Sequence, residues 1–108
     1  MQRAIDNSTK NGIIKSDKQF GKKIGKHAFD WNLDPASLKD REKMEKIIDD
    51  IYVNHDESVK IGQWRGQKNE VLFYIKGEDV VITKQNGEFV TILRGGKSNV
   101  RVKNARER

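Results

Sequence analysis

The chain has 108 residues, of which 34% are hydrophobic and 35% charged, and its formal net charge is +6 at pH 7. This length predicts one domain with a modest core, and no apolar run approaches the roughly 18 residues of a membrane-spanning helix. Because the sequence contains no cysteine, a disulfide framework, a cysteine-ligated zinc site and a cysteine nucleophile are excluded.

The charge is unevenly distributed along the chain. Residues 1–29 contain seven Lys or Arg and two acidic residues, residues 30–57 contain four and nine, and residues 58–108 contain eleven and five. A basic beginning and a basic end therefore flank an acidic middle. Such a chain can present one positive face to nucleic acid while the acidic segment points away. Ordinary solubility charge is the alternative interpretation.

The polar first segment, residues 1–15, is typical of a flexible lead-in, so that the domain proper would span residues 16–108. Apolar residues then recur at the i, i+4, i+8 and i+11 spacing of a helix that packs through one face. They are Phe20, Ile24, Ala28 and Trp31. The pair Gly21 and Gly25 weakens this helix but would permit close approach of a ligand.

His27, one of two histidines, lies beside this apolar stripe. Lys22, Lys23 and Lys26 precede it within five residues, and nearby ammonium groups disfavour the charged form of an imidazole. A neutral histidine among cations suits proton transfer on a polyanion. A surface helix that carries a histidine by chance is the alternative.

A second helix is predicted from about Ser37 to Asn54, with Asp34 as its N-cap and Pro35 at its first position. Its apolar stripe has i, i+3, i+4, i+7 spacing and consists of Met44, Ile47, Ile48 and Ile51. The mixed charges between these residues indicate a solvated face. His55 follows the helix and is interpreted as structural or incidental.

After His55 the period changes from helical to alternating, which predicts strands. A first strand is predicted near Val59, and further strands are predicted at 71–75, 80–84 and 89–93. Between the last two, Asn86-Gly87 is the strongest hairpin signal. Val100 and Val102 predict a short edge strand or a basic tail. Helices followed by antiparallel strands give an α+β fold. We expect the helices to cover one sheet face and the other face to remain open for a ligand.

The sequence offers few kinds of chemistry. It has no phosphate-binding loop, no dinucleotide fingerprint and no metal-ligand spacing. His27, several cations and the hydroxyls of residues such as Thr83 and Thr91 remain. This inventory fits RNA cleavage without a metal, because the RNA 2′-hydroxyl is the nucleophile and the protein needs only a proton-transfer group and charge-stabilising donors.

Five short segments, in the same order, resemble the nuclease domain of colicin D and the similar C-terminal toxin domains of contact-dependent growth-inhibition proteins. They are Lys26-His27-Ala28-Phe29-Asp30, Gly62-Gln63-Trp64, Val71-Leu72-Phe73-Tyr74, Val80-Val81-Ile82-Thr83-Lys84 and Asn86-Gly87-Glu88-Phe89. The resemblance covers about residues 20–93, and the first and last segments are its most specific parts.

The resemblance implies an antibacterial toxin that cleaves tRNA near the anticodon. No cofactor is expected, because the sequence has no metal-ligand spacing and no nucleotide-binding fingerprint. The resemblance implies the fold of the barnase, EndoU, colicin and RelE class, with N-terminal helices on a four- to five-stranded antiparallel sheet. It also implies a cognate immunity protein, secretion as the tip of a larger cell-surface protein, and action in the cytoplasm of the target cell. Relatives of this kind can depend on elongation factor Tu or another cytosolic protein, so the same requirement is open here.

The resemblance assigns catalytic roles to His27, Lys26 and Thr91, the last in place of a family serine. A family tryptophan falls on Leu93, which puts base stacking at that position in doubt. Further phosphate contacts are expected from other cations of the chain, namely Lys22, Lys23, Arg65, Lys68, Lys84 and Arg94. A non-catalytic RNA-binding module and a protein-interaction domain built on the acidic helix remain alternatives. Low aromatic content, 7%, counts against a single-strand binder that works by stacking.

Overall fold

A computed structural model describes residues 13–15 and 17–108 of the chain. Two helices, α1 and α2, precede a sheet of five strands, β1 to β5, and a short helix, α3, lies between β4 and β5. The bounds are α1 Asp17–His27, α2 Leu38–Val53, β1 Lys60–Gly62, β2 Val71–Lys76, β3 Asp79–Lys84, β4 Phe89–Leu93, α3 Val100–Asn104 and β5 Arg106–Glu107. Two 3₁₀ turns cover Ala28–Trp31 and Gly96–Ser98. Within the described part of the chain, no helix combines the length and apolar character that crossing a membrane requires.

The sheet is antiparallel throughout, with the strand order β4-β3-β2-β1-β5. The predicted hairpin joins β3 to β4, where Gly87 takes a positive φ of 94° that favours glycine. The α+β prediction, with N-terminal helices on a four- to five-stranded antiparallel sheet, is confirmed. The arrangement is compatible with the barnase, EndoU, colicin and RelE class.

The helices cover one face of the sheet through their predicted stripes. Ile24 and Ala28 of the first stripe and Met44, Ile48 and Ile51 of the second are buried together with residues of β2, β3 and β4. Burial of an Ile or Met side chain stabilises a fold by about 1.5–3 kcal/mol. This core fixes α1 beside β4, the edge strand of the sheet.

The expectation of an open second sheet face was wrong. That face is buried under the Trp64 side chain and under Val102 of α3, which packs on residues of β2, β3 and β4. The segment predicted as an edge strand or basic tail forms this helix because the Asn99 side chain accepts a hydrogen bond from Arg101 N and caps it. Only Arg106–Glu107 adds an edge strand. A ligand site must therefore lie at an edge or an end of the sheet.

Two boundaries also differ from expectation. Helix α2 begins after Ser37, whose side chain accepts from Asp40 N, while Asp34 makes a turn with Ala36 instead of capping the helix. Residues 1–12 of the predicted lead-in lie outside the described residues. Residues 13–15 belong to the domain, since Ile13 is buried and Ile14 exchanges backbone hydrogen bonds with the β3–β4 turn.

Candidate active site

His27 is the last residue of α1, where the helix tightens into the 3₁₀ turn Ala28–Trp31. Side chains three residues apart eclipse each other in a 3₁₀ turn, which brings Asp30 against the imidazole. The His27 Nδ1 atom lies 3.3 Å from Oδ2 of Asp30. A carboxylate accepts the Nδ1 proton, so this contact favours the tautomer whose Nε2 carries the lone pair. The turn ends at Asn32, which takes the left-handed conformation with φ of 60°.

The other ring nitrogen of His27 contacts Thr91, 64 residues further along the chain. The distance from Nε2 to Oγ1 of Thr91 is 3.2 Å, and Thr91 is only 2% exposed. A β-bulge lies at this point: Thr83 pairs with Phe89 and Ile82 pairs with Thr91, so β4 has one more residue than β3 between the two pairs. Bulges re-aim side chains at sheet edges, and here the bulge accompanies the contact with His27.

His27 and Thr91 line one cleft of about 430 Å³ at the β4 edge, which we call the histidine cleft. One wall is α1, the opposite wall is the 64–67 turn, and residues of β4 form the floor. Four cations line it: Lys22, Lys23, Lys26 and Arg65. None of the four makes an ion pair with a side chain that the structure describes. The cleft is therefore suited to an anionic ligand.

Lys23 is the most enclosed of the three lysines. It lies one helical turn before His27, on the same side of α1. Burial, followed by the charges of Lys26, Lys22 and Arg65, lowers the pKa of the Lys23 ammonium from its ordinary value. Crowded like charges with no carboxylate partner destabilise a fold unless an anion binds among them. Lys26, the catalytic lysine that the resemblance implies, lines the same cleft but is more exposed.

Arg94 is not among the residues that line the histidine cleft. Its guanidinium donates a hydrogen bond to the backbone carbonyl of Asp30 and lies 5.7 Å from the centre of the Trp31 ring. Arg94 thus ties the 3₁₀ turn to the end of β4 and holds the segment that carries Asp30. The expected phosphate contact of Arg94 stays a prediction, at a position outside the histidine cleft.

Lys68 and Lys84 lie outside the histidine cleft, in a neighbouring groove of about 630 Å³ between the 66–70 loop and the β3–β4 turn. Lys84 is 3.6 Å from a carboxylate oxygen of Glu88. Apart from Arg94, the expected site residues therefore separate into two groups. His27, Thr91 and four cations share the cleft, whereas Lys68 and Lys84 share the groove.

Sequence reasoning missed several residues of the site. Asp30 belongs to the first of the five resembling segments but was assigned no role. Its spacing of three residues from His27 is a local signal for contact between the two side chains. Trp64, Gln67 and Leu93 also line the cleft. Trp64 is anchored edge-on to Phe73, with ring centres 6.3 Å apart, and this fixes the 64–67 turn. Leu93 belongs to β4 and was marked by the family resemblance, but nothing in the local pattern marks Trp64 and Gln67 as cleft residues.

The second histidine has a different environment, as expected for a structural residue. His55 Nδ1 lies 2.9 Å from the backbone carbonyl oxygen of Tyr52, and its ring packs edge-on to Tyr74. No group of three or more His, Asp or Glu side chains suited to a metal ion occurs among residues 13–15 and 17–108.

Comparison of the chain with protein-family models, with curated proteins and with solved structures gave no match. The geometry of the histidine cleft and the resemblance of the five sequence segments are therefore the observations that bear on function.

Proposed function

We propose that the protein is a metal-independent endoribonuclease that cleaves tRNA by transesterification. One observation carries the proposal: His27 lies between Asp30 and Thr91 in a cleft walled by four cations. A polarised imidazole at a cationic cleft is the minimum that RNA cleavage by its own 2′-hydroxyl requires, because the substrate supplies the nucleophile.

In the proposed reaction, Nε2 of His27 removes the proton from the 2′-hydroxyl. The 2′-oxygen attacks the adjacent phosphorus, and the bond from phosphorus to the 5′-oxygen breaks. The departing 5′-oxygen takes a proton from protonated His27 or from water. The products carry a 2′,3′-cyclic phosphate and a 5′-hydroxyl. Asp30 orients the imidazole and stabilises its charged form.

The remaining groups act on the phosphate. Lys26 and Lys23 stabilise the charge that grows on the non-bridging oxygens, while the Thr91 hydroxyl donates a hydrogen bond to one of them. Lys22 and Arg65, further along the walls, hold neighbouring phosphates. The same cations would repel a divalent metal ion, which supports chemistry without one.

The choice of tRNA, and of its anticodon loop, follows from the resemblance to colicin D and to contact-dependent growth-inhibition toxins. The same resemblance supports a toxin that is released from a larger secreted protein, acts in the target cytoplasm and is blocked by a cognate immunity protein. A cationic cleft favours an acidic inhibitor, whose association rate should fall as salt rises. A requirement for elongation factor Tu or another host protein belongs to the same proposal.

The decisive experiment incubates the purified domain with total tRNA in EDTA and maps the ends of the fragments. We expect cleavage in EDTA and fragments with 2′,3′-cyclic phosphate and 5′-hydroxyl ends. A substrate with 2′-deoxyribose at the cleaved nucleotide should survive. Activity that EDTA abolishes and magnesium or zinc restores, with tRNA folding controlled, would contradict the metal-independent mechanism, and cutting of the deoxy substrate would exclude the 2′-hydroxyl as nucleophile.

A further inference from the structure

The histidine cleft continues into the groove that holds Lys68 and Lys84. The cleft and the groove share Gly66 and Gln67. A smaller depression beside them is lined by Gln67, Lys84, Glu88, Phe89 and Val90. Gln67 borders all three depressions. Together they form one surface track from His27 to the β3–β4 turn. We call the part of this track beyond Gln67, which holds Lys68 and Lys84, the distal groove.

The backbone of the 64–67 turn gives the track its shape. Gln67 N donates to Trp64 O over 3.1 Å, and Gly66 has a φ of 80° with open space where a Cβ would project. Glycine suits this turn because of its backbone conformation. The turn is fixed at one end by the buried Trp64 side chain, and Gln67 lies at the junction between cleft and groove.

The chemistry of the distal groove differs from that of the cleft. It contains two ammonium groups: Lys68, which has no ion pair with a side chain of residues 13–15 or 17–108, and Lys84, which lies 3.6 Å from a carboxylate oxygen of Glu88 in a partly exposed pair that adds little stability. Two of the amide side chains of the groove, Gln67 and Asn69, have no hydrogen-bond partner among the same residues. The carboxylate of its one acidic lining residue, Glu70, is occupied by two hydrogen bonds of 2.7 Å from Arg106. Amides read base edges and ammonium groups bind phosphates.

We propose that the distal groove binds the unpaired nucleotides that flank the cleaved one, with Lys68 and Lys84 on their phosphates and the amide of Gln67 or Asn69 on a base edge. The proposal rests on the proposed function, which puts the cleaved phosphate at His27. Single-stranded RNA is the fitting ligand, because amides reach Watson–Crick edges only where bases are unpaired. At about 630 Å³ the groove lies within the usual size of ligand pockets, about 300–1,000 Å³.

The test measures binding separately from cleavage. The probe is a single-stranded oligonucleotide of about ten nucleotides with 2′-O-methyl groups, which cannot be cut by transesterification. The variants are Lys68→Ala, Lys68→Ala/Lys84→Ala, and a control of equal charge loss, Lys39→Ala/Lys46→Ala, on the exposed face of α2. Affinity is measured by fluorescence anisotropy over a series of salt concentrations, and folding is checked by circular dichroism.

We expect the groove double variant to bind the probe about tenfold more weakly than the wild type. The slope of log affinity against log salt should become shallower by about 0.7 for Lys68→Ala and by about 1.4 for the double variant, one phosphate contact per lysine. The Lys39→Ala/Lys46→Ala control should keep the wild-type slope.

The outcomes separate this proposal from the proposed function. If the wild type cleaves tRNA while the groove double variant binds the probe like the Lys39→Ala/Lys46→Ala control, the distal groove is not an RNA site and the nuclease proposal stands. If the groove variants weaken binding with the expected loss of slope but tRNA is never cut, the groove stands as an RNA site and the nuclease proposal fails. A wild type that does not bind the probe overturns the groove proposal.

Discussion

Two helices pack on the same face of the sheet and each leads to a histidine, yet their charged groups are arranged in opposite ways. Around the end of α2, acidic side chains form ion pairs with lysines. Asp50 pairs with Lys76, and Lys15 Nζ lies 2.8 Å from Oδ1 of Asp49. Around the end of α1, lysines crowd with no carboxylate partner among the described side chains. Paired charges consolidate a fold, whereas crowded like charges weaken it. The difference favours the α1 region as the proposed ligand site.

The largest expected effect contrasts the two histidines. His27→Ala should lower the single-turnover rate of tRNA cleavage by about 10²–10⁴-fold, the usual contribution of a general acid–base group. His55→Ala should leave the rate unchanged and lower the free energy of unfolding by about 1 kcal/mol, because it removes a hydrogen bond to the Tyr52 carbonyl and a ring contact. Cleavage rates and denaturant unfolding of both variants check this. Equal loss of activity in the two variants would refute the assignment of His27.

A second prediction separates the lysines of α1. Lys26→Ala and Lys23→Met should each lower the cleavage rate at saturating tRNA by about 10²-fold and change tRNA affinity little, because they act on charge that develops in the transition state. Lys22→Ala should instead weaken binding and preserve the saturated rate. Single-turnover kinetics decide the roles. Near-wild-type saturated rates for Lys26→Ala would remove that lysine from the active site.

Lys23→Met should also change stability, in the direction opposite to its effect on activity. The pKa of Lys23 is lowered by burial and by its neighbours, so the charged form destabilises the folded state at neutral pH. Removing the charge should raise Tm by about 1–3 °C, the size expected of a like-charge contact on a helix. Lys39→Met, at an exposed position of α2, is the matched control and should leave Tm unchanged.

The sequence predicted most of the fold but only part of the site, and particular residues show why. The stripes of α1 and α2 and the Asn86-Gly87 hairpin depend on local patterns that need no tertiary information. The second sheet face is buried because Trp64 and Val102, 38 residues apart, both pack against it. No local pattern encodes this contact. Residues 100–104 alternate like a strand, yet the Asn99 cap and the packing of Val102 select a helix.

The candidate site illustrates the same limit. His27 and its lysines are neighbours in sequence, so local reasoning grouped them. Thr91 lies 64 residues away, and only the family resemblance linked it to His27. The bulge of β4, which accompanies the contact between Thr91 and the imidazole, depends on strand pairing and is not encoded locally. Asp30, in contrast, is three residues from His27, and this spacing is a local signal. The division of the cations between cleft and groove depends on where the 64–70 loop packs.

A smaller effect is expected at Thr91. Thr91→Val keeps the shape but removes the hydroxyl beside His27 Nε2, and we expect a rate about tenfold lower, with Thr91→Ser close to the wild type. The imidazole would remain in place because Asp30 still holds Nδ1. A complete loss of activity in Thr91→Val, together with cutting of the 2′-deoxy substrate, would indicate that Thr91 itself is the nucleophile, in the manner of an Asp–His–hydroxyl triad.

The smallest effect concerns the paired charges at the end of α2. Hydrogen bonds from Lys76 and Asn54 hold the pKa of Asp50 below its ordinary value of 3.8. The folded state therefore binds this proton less readily than the unfolded state, so the stabilisation is present above the unfolded pKa and is lost as pH falls through the folded pKa. Asp50→Asn should lower Tm slightly at neutral pH, and the difference from the wild type should shrink from about pH 5 downward. Thermal melts across this range check it, with Glu42→Gln on the exposed face of α2 as the control. A Tm difference that persists unchanged below about pH 3 would show that Asp50 stabilises α2 through packing or through a neutral hydrogen bond, not through its charge.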